Sequence, residues 1–119
     1  VSYTASKYSV VGLSHGLRAE GANYGIKINV VCPGKINTSI YKTSAMRGLN
    51  KDKALKFWPQ GISPEKCASI MLKGIRQNKS TIVVTTHAKV LWYLNRLSPE
   101  LTIKLSQQYI RFIRKVAKE

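Results

Sequence analysis

The chain has 119 residues, 44% of them apolar, which is enough for one modest core and far from the composition of a disordered segment. Its 20 Lys and Arg outweigh 5 Asp and Glu, for a net charge of +15. The basic residues are scattered, with no RNA-binding aromatic motif, finger spacing or long basic block; this argues against specific nucleic-acid binding and leaves attraction to an anionic membrane surface.

Residues 1 to about 24 contain no proline and read as a helix. At 100° per residue Tyr3, Lys7, Val10, Ser14, Leu17 and Gly21 share one face, and Ala5, Gly12, Gly16 and Ala19 form a small-residue stripe opposite. Each internal glycine costs about 1 kcal/mol of helix propensity, so a crowded packing surface is the expected compensation. Gly25 is placed to end the helix. "IKINVVC", 26–32, is a β-branched run stopped by Pro33-Gly34 and reads as a buried parallel strand.

Residues 35–62 have no steady period and read as a long functional loop with a short helix near Lys51–Phe57. Met46, Phe57 and Trp58 in it are either walls of a substrate pocket or exposed filler. Ser63 as N-cap, Pro64 in the first turn and Glu65 beside the helix dipole predict a helix through "SPEKCASIMLKGIRQNK". "STIVVTT", 80–86, reads as a second buried strand. The order helix, strand, loop, helix, strand implies right-handed crossovers and a parallel sheet covered on both faces.

The tail from 87 to 119 carries Leu101, Leu105, Tyr109, Phe112, Ile113 and Val116 at helical spacing, ringed by Lys104, Arg111, Arg114, Lys115 and Lys118. Two readings stand: a helix that folds back on the domain or caps a dimer, or a pair of amphipathic helices lying on an anionic membrane through residues 88–119. No signal-peptide pattern and no apolar run near membrane-spanning length occurs in these residues. Cys32 and Cys67 stand apart from each other and from His15 and His87, so no metal site and no disulfide framework is expected. Reduced thiols fit a cytoplasmic protein, with membrane association through the tail as the addition. His15 and Tyr8 read as packing or surface residues.

Tyr3 and Lys7, four apart on one helical face, bring an ammonium beside a phenol, and a nearby positive charge favours the phenolate form. Alone the pair is weak evidence of chemistry. After one helix and one strand, however, comes "PGKINTS", 33–39, at a strand's C-terminal end, where open α/β sheets bind ligands.

"YTASKYSVVGLSHGLRAEGANYGIKINVVCPGKINTSI", 3–40, resembles the classical short-chain dehydrogenase/reductase family in its YxxxK pair, its "LRAE", its "GIKINVVCPG" strand and its P-G-x-I-x-T turn. Residues 63–86 fit the family's next helix and last core strand more loosely, and the tail after His87 reads as lineage-specific. The resemblance implies an NAD(P)-dependent oxidoreductase interconverting a carbonyl and a secondary alcohol. It implies Tyr3 as general acid or base, and Lys7 as its activator and a ligand of the nicotinamide ribose. Pro33 and Gly34 would turn the backbone past the nicotinamide, the main chain of Ile36 would meet the carboxamide, and the Thr38 hydroxyl would reach the pyrophosphate. Tyr3 and Lys7 thus count among both the catalytic and the cofactor-binding residues.

The family's glycine-rich turn, its central asparagine and the serine upstream of the tyrosine are not in these residues, and Ser2 is too close to be that serine. The expectation is therefore the C-terminal half of a doubly wound, Rossmann-like α/β sheet over 1–86, followed by a helical tail over 87–119, inactive by itself. An apolar carbonyl substrate and a homo-oligomer are expected of the complete enzyme. The alternative is a non-catalytic basic module, working at a membrane surface or in protein interaction, that keeps part of the fold.

Overall fold

The fold is that of a computed structural model in which residues 2–43, 50–57 and 59–117 are described. Met46, Trp58 and Lys118 lie outside the described residues. Helix α1 spans Ser2–Gly21 and runs into a 3₁₀ turn, Ala22–Tyr24. Gly25 then takes φ 70°, a left-handed conformation open to glycine, and its N–H closes on the Ala22 carbonyl at 3.2 Å. Strand β1 is Val30–Cys32. Short helices α2 (Ile40–Thr43) and α3 (Lys51–Lys56) follow, then α4 (Pro64–Arg76), strand β2 (Thr81–Val83), α5 (Thr86–Leu97) and α6 (Pro99–Val116).

The two strands pair in parallel, Val30 with Thr81, Val31 with Ile82 and Cys32 with Val83. Parallel pairing requires a crossover, and α4 supplies it. Both strands are shorter than the β-branched runs predicted. At the first, the Ile26 N–H is taken by the Gly21 carbonyl at 3.0 Å, tying residues 26–29 to the end of α1 before pairing begins. At the second, the chain turns into α5 at Thr86, whose start belonged to the expected strand.

Strand alternation sends Ile82 and Val84 to one face, where they meet Cys67 of α4, with Val31, Ile36, Ile62, Ile70 and Met71 packed around them. Gly74 lets α4 come this close, since a Cβ there would stand 2.7 Å from Ile82. The other face receives α1, whose His15 Nε2 lies 2.8 Å from Thr81 Oγ1.

Helix α4 starts as its residues dictate. The Ser63 hydroxyl accepts from the Lys66 N–H at 3.2 Å and Pro64 sits in the first turn. The Glu65 carboxyl is held below the usual carboxylate range by its backbone hydrogen bond and then by Ser63. The helix ends at Arg76, short of the predicted Lys79, because Asn78 turns to φ 51°.

The tail folds back on the chain. Helix α6 lies against α5 and against α3 of the long loop. Phe112 meets the Phe57 ring edge to face at 5.3 Å, and the Tyr109 hydroxyl donates to the Phe57 carbonyl at 3.0 Å. Burial pushes the Tyr109 phenol upward in pKa, which keeps its proton available for that bond. Ile113 and Ala117 are buried, and the Ala117 carbonyl accepts from the Asn50 N–H at 2.9 Å.

Candidate active site

The direction of α1 puts its first turns where chemistry can occur. His15 stands against Thr81, the first residue of β2. One turn later, the Arg18 guanidinium donates to the Ile28 carbonyl and to Asn78, ahead of both strands, and Gly21 meets Ile26. The helix therefore runs antiparallel to the strands. Stepping back from His15 to Tyr3 moves about 18 Å along the helix, toward the C-terminal side of the sheet. Sequence reading passed over this Arg18 clamp; a lone arginine in "LRAE" carries no sign of neutral acceptors 10 and 60 residues away.

On that first turn Lys7 Nζ lies 5.3 Å from the centre of the Tyr3 ring. The Tyr3 side chain is 72% exposed, and it takes no hydrogen bond from other described residues. The structure thus brings the predicted pair together, with the ammonium over the ring face.

The second predicted group forms the turn after β1. Pro33 and Gly34 are exposed, and Gly34 has φ 74°. A Cβ on Gly34 would stand 2.2 Å from Thr85 Oγ1 and 3.2 Å from the Ala88 Cβ, so the turn lies directly on the start of α5.

Ile36 pairs in parallel with Ile62 through neighbours' atoms: the Asn37 N–H donates to the Ile62 carbonyl at 2.9 Å and the Ile62 N–H to the Lys35 carbonyl at 3.3 Å. In that pattern the N–H and C=O of Ile36 point to the opposite side, and among the described residues neither is hydrogen-bonded. Thr38 is exposed, with no hydrogen bond from its hydroxyl among the described residues. No hydrogen bond between described residues joins the Tyr3–Lys7 pair to this turn.

Cys32, at the end of β1, is unpaired, and burial raises its thiol pKa, away from nucleophile chemistry. The packing expected for the small-residue stripe is not met at Gly12 or Gly16 among the described residues. A Cβ on Gly12 or Gly16 would have nothing within 4 Å. The buried side of α1 is instead the one carrying Val11, Ser14, His15 and Arg18.

A family model for short chain dehydrogenases matches residues 1–48. A Drosophila melanogaster protein, dehydrogenase/reductase SDR family protein 7-like, is 34% identical over 103 residues, covering 84% of this chain and 31% of its own length. Its Anopheles gambiae counterpart is 30% identical over 102 residues, with 84% and 32% covered. The 17-beta-hydroxysteroid dehydrogenase 13 of Rattus norvegicus is 28% identical over 107 residues, covering 87% of this chain and 32% of that one. The chain spans about a third of the length of these curated relatives. A match over 84% of 119 residues necessarily passes His87, so similarity to this relative continues into the tail.

Proposed function

The chain belongs to the short-chain dehydrogenase/reductase family of oxidoreductases, and from that premise we propose that it carries the acid–base segment of an enzyme interconverting a carbonyl and a secondary alcohol with NAD or NADP. The observation that carries the reading is Tyr3 and Lys7, side by side and solvent-open on the turn of α1 that reaches the C-terminal side of the strands.

The residues present fit a nicotinamide cofactor. The Gly34 turn is exposed at the end of β1, and the outward N–H and C=O of Ile36 match the acceptor and donor of a carboxamide. Thr38 offers a free hydroxyl for a phosphate, and the Lys7 ammonium can donate to ribose hydroxyls. Bound there, the cofactor supplies or takes up the hydride.

Tyr3 gives its phenolic proton to the carbonyl oxygen in reduction and takes the alcohol proton in oxidation. Lys7, whose ammonium lies over the Tyr3 ring, helps orient the reacting groups. The substrate of this reading is an apolar carbonyl compound or the matching alcohol. By this reading the 119 residues alone turn nothing over.

In the complete enzyme Tyr3→Phe lowers kcat by about 10²–10⁴-fold, the usual worth of a positioned proton donor, with cofactor affinity close to the parent's. Lys7→Ala lowers both. Steady-state kinetics with a cofactor titration decides: mild and equal effects from the two changes reduce the pair to a structural contact.

Two further proposals concern partners. The open face of α1 at Gly12 and Gly16 supports a homo-oligomer built on that helix. The exposed Leu97, Ile103 and Ile110, near Lys104, Arg111 and Arg114, support peripheral contact with an anionic membrane. No helix among the described residues is long and apolar enough to cross one.

A further inference from the structure

A cluster of basic side chains lies well away from Tyr3. Helix α1 presents His15 and Arg18 one turn apart, α5 presents Trp92 and Arg96 one turn apart, and Ser80 and Thr81 lie between them at the start of β2. These side chains line a cavity of about 480 Å³. Three basic residues converge there with no carboxylate in the wall, and none of the three is paired with a carboxylate among the described residues. Arg18 is held by neutral acceptors alone, the Ile28 carbonyl and Asn78, so its charge is oriented and not neutralised. Arg96 stacks over the Trp92 ring at 4.4 Å, an arrangement that leaves the N–H donors at the edge of the guanidinium free. The Trp92 indole N–H and the Ser80 hydroxyl have no hydrogen-bond partner among the described residues.

We propose that this cavity between α1, β2 and α5 binds a phosphate monoester. Its donors approach from two helices and from Ser80 just ahead of β2, a spread that suits a tetrahedral dianion better than a flat carboxylate. Arg96 supplies the free fork, Arg18 a fixed charge, and the Ser80 hydroxyl and Trp92 N–H the remaining donors. His15, already hydrogen-bonded to Thr81, closes one wall. The volume leaves room for the organic part of the ester along Ala19 and the Trp92 ring. Neither the reaction at Tyr3 nor the cofactor enters this argument, so the site stands or falls independently of the proposed function.

The test is calorimetric titration of the full chain with glycerol 3-phosphate, followed by competition with phosphatidylcholine vesicles with and without phosphatidic acid. The expected result is saturable one-to-one binding, weakened about tenfold or more in Arg96→Gln, as for loss of a charge-assisted hydrogen bond. Arg96 is exposed, so that change spares the fold; Lys104→Gln removes the same charge from α6 and leaves binding as it was. Competition only by the vesicles holding phosphatidic acid identifies the ester as a lipid headgroup, and its absence identifies a soluble ester. Absence of saturable binding, or equal weakening by Arg96→Gln and Lys104→Gln, overturns the proposal in favour of diffuse attraction to a basic surface.

Discussion

Gly34 is the residue on which the candidate site depends most simply. Its φ of 74° disfavours any Cβ, and the Thr85 hydroxyl occupies the place where one would go. A left-handed Cβ costs about 1–2 kcal/mol before any clash is counted. Gly34→Ala should therefore lower stability by at least that much in denaturant unfolding. It should also weaken cofactor binding, because relieving the clash moves the turn away from α5 or α5 away from the turn. An unchanged midpoint would mean that the turn can relax freely, and that its glycine reflects no constraint. The Pro-Gly pair announced the turn in the sequence. That its closest neighbour is Thr85, 51 positions later and itself buried, did not show, since nothing local to either residue encodes the approach.

At the scale of elements, the tail has two claims on it. Phe112, Tyr109 and Ala117 hold the end of the chain to Phe57 and Asn50 on either side of α3, which uses the centre of the predicted apolar stripe within the chain. Leu97, 84% exposed at the end of α5, and Ile103, 55% exposed, take no part in that packing, and the proposed membrane contact rests on them. The double change Leu97→Glu and Ile103→Glu should abolish sedimentation with anionic liposomes at low salt while leaving the circular dichroism spectrum as it was. Binding that survives both changes, or that is insensitive to salt, would refute the membrane contact. Local signals made several elements readable: the Ser63–Pro64–Glu65 start of α4, the Gly25 stop, and the short helix in the long loop. Strand lengths were not readable, because β-branched runs show which residues can pair and not where the partner ends. The short α2 gave no periodic signal, and the fold-back of α6 onto Phe57 depends on a contact between distant, ordinary aromatic residues.

For the molecule as a whole, two measures say that these residues do not close a core of their own. The radius of gyration is 16.7 Å, against about 13–14 Å for a compact domain of this length. The accessible surface is 9306 Å², against about 6,500 Å² for a folded monomer of this mass. Two parallel strands leave sheet edges and the faces of α1 without partners among the described residues. The 119 residues alone should therefore show shallow, weakly cooperative unfolding and only salt-sensitive, non-saturating association with NADH, driven by the net charge of +15. Tight saturable binding by these residues at high ionic strength would contradict this. Light scattering of the complete enzyme bears on the other open face: a monomer at micromolar concentration would rule out assembly through α1.

The pairing of Ile36 with Ile62 has a consequence for how such a protein can change. Two backbone hydrogen bonds fasten the ends of the excursion between them, and Gly61 fits against Asn37 and the Lys35 carbonyl so closely that a Cβ would collide. With the neck fixed, adding residues to the excursion costs only the slow logarithm of loop closure, about 0.6 kcal/mol for each doubling in length. Nothing in the sheet need move to accommodate them. The Tyr3–Lys7 pair sits on one part of the chain and the excursion on another, joined through a neck of a few residues. A lineage can thus lengthen or rewrite the excursion while α1 and its Tyr3–Lys7 pair stay as they are; if the proposed function holds, that alters what is accepted without touching the proton-transfer groups.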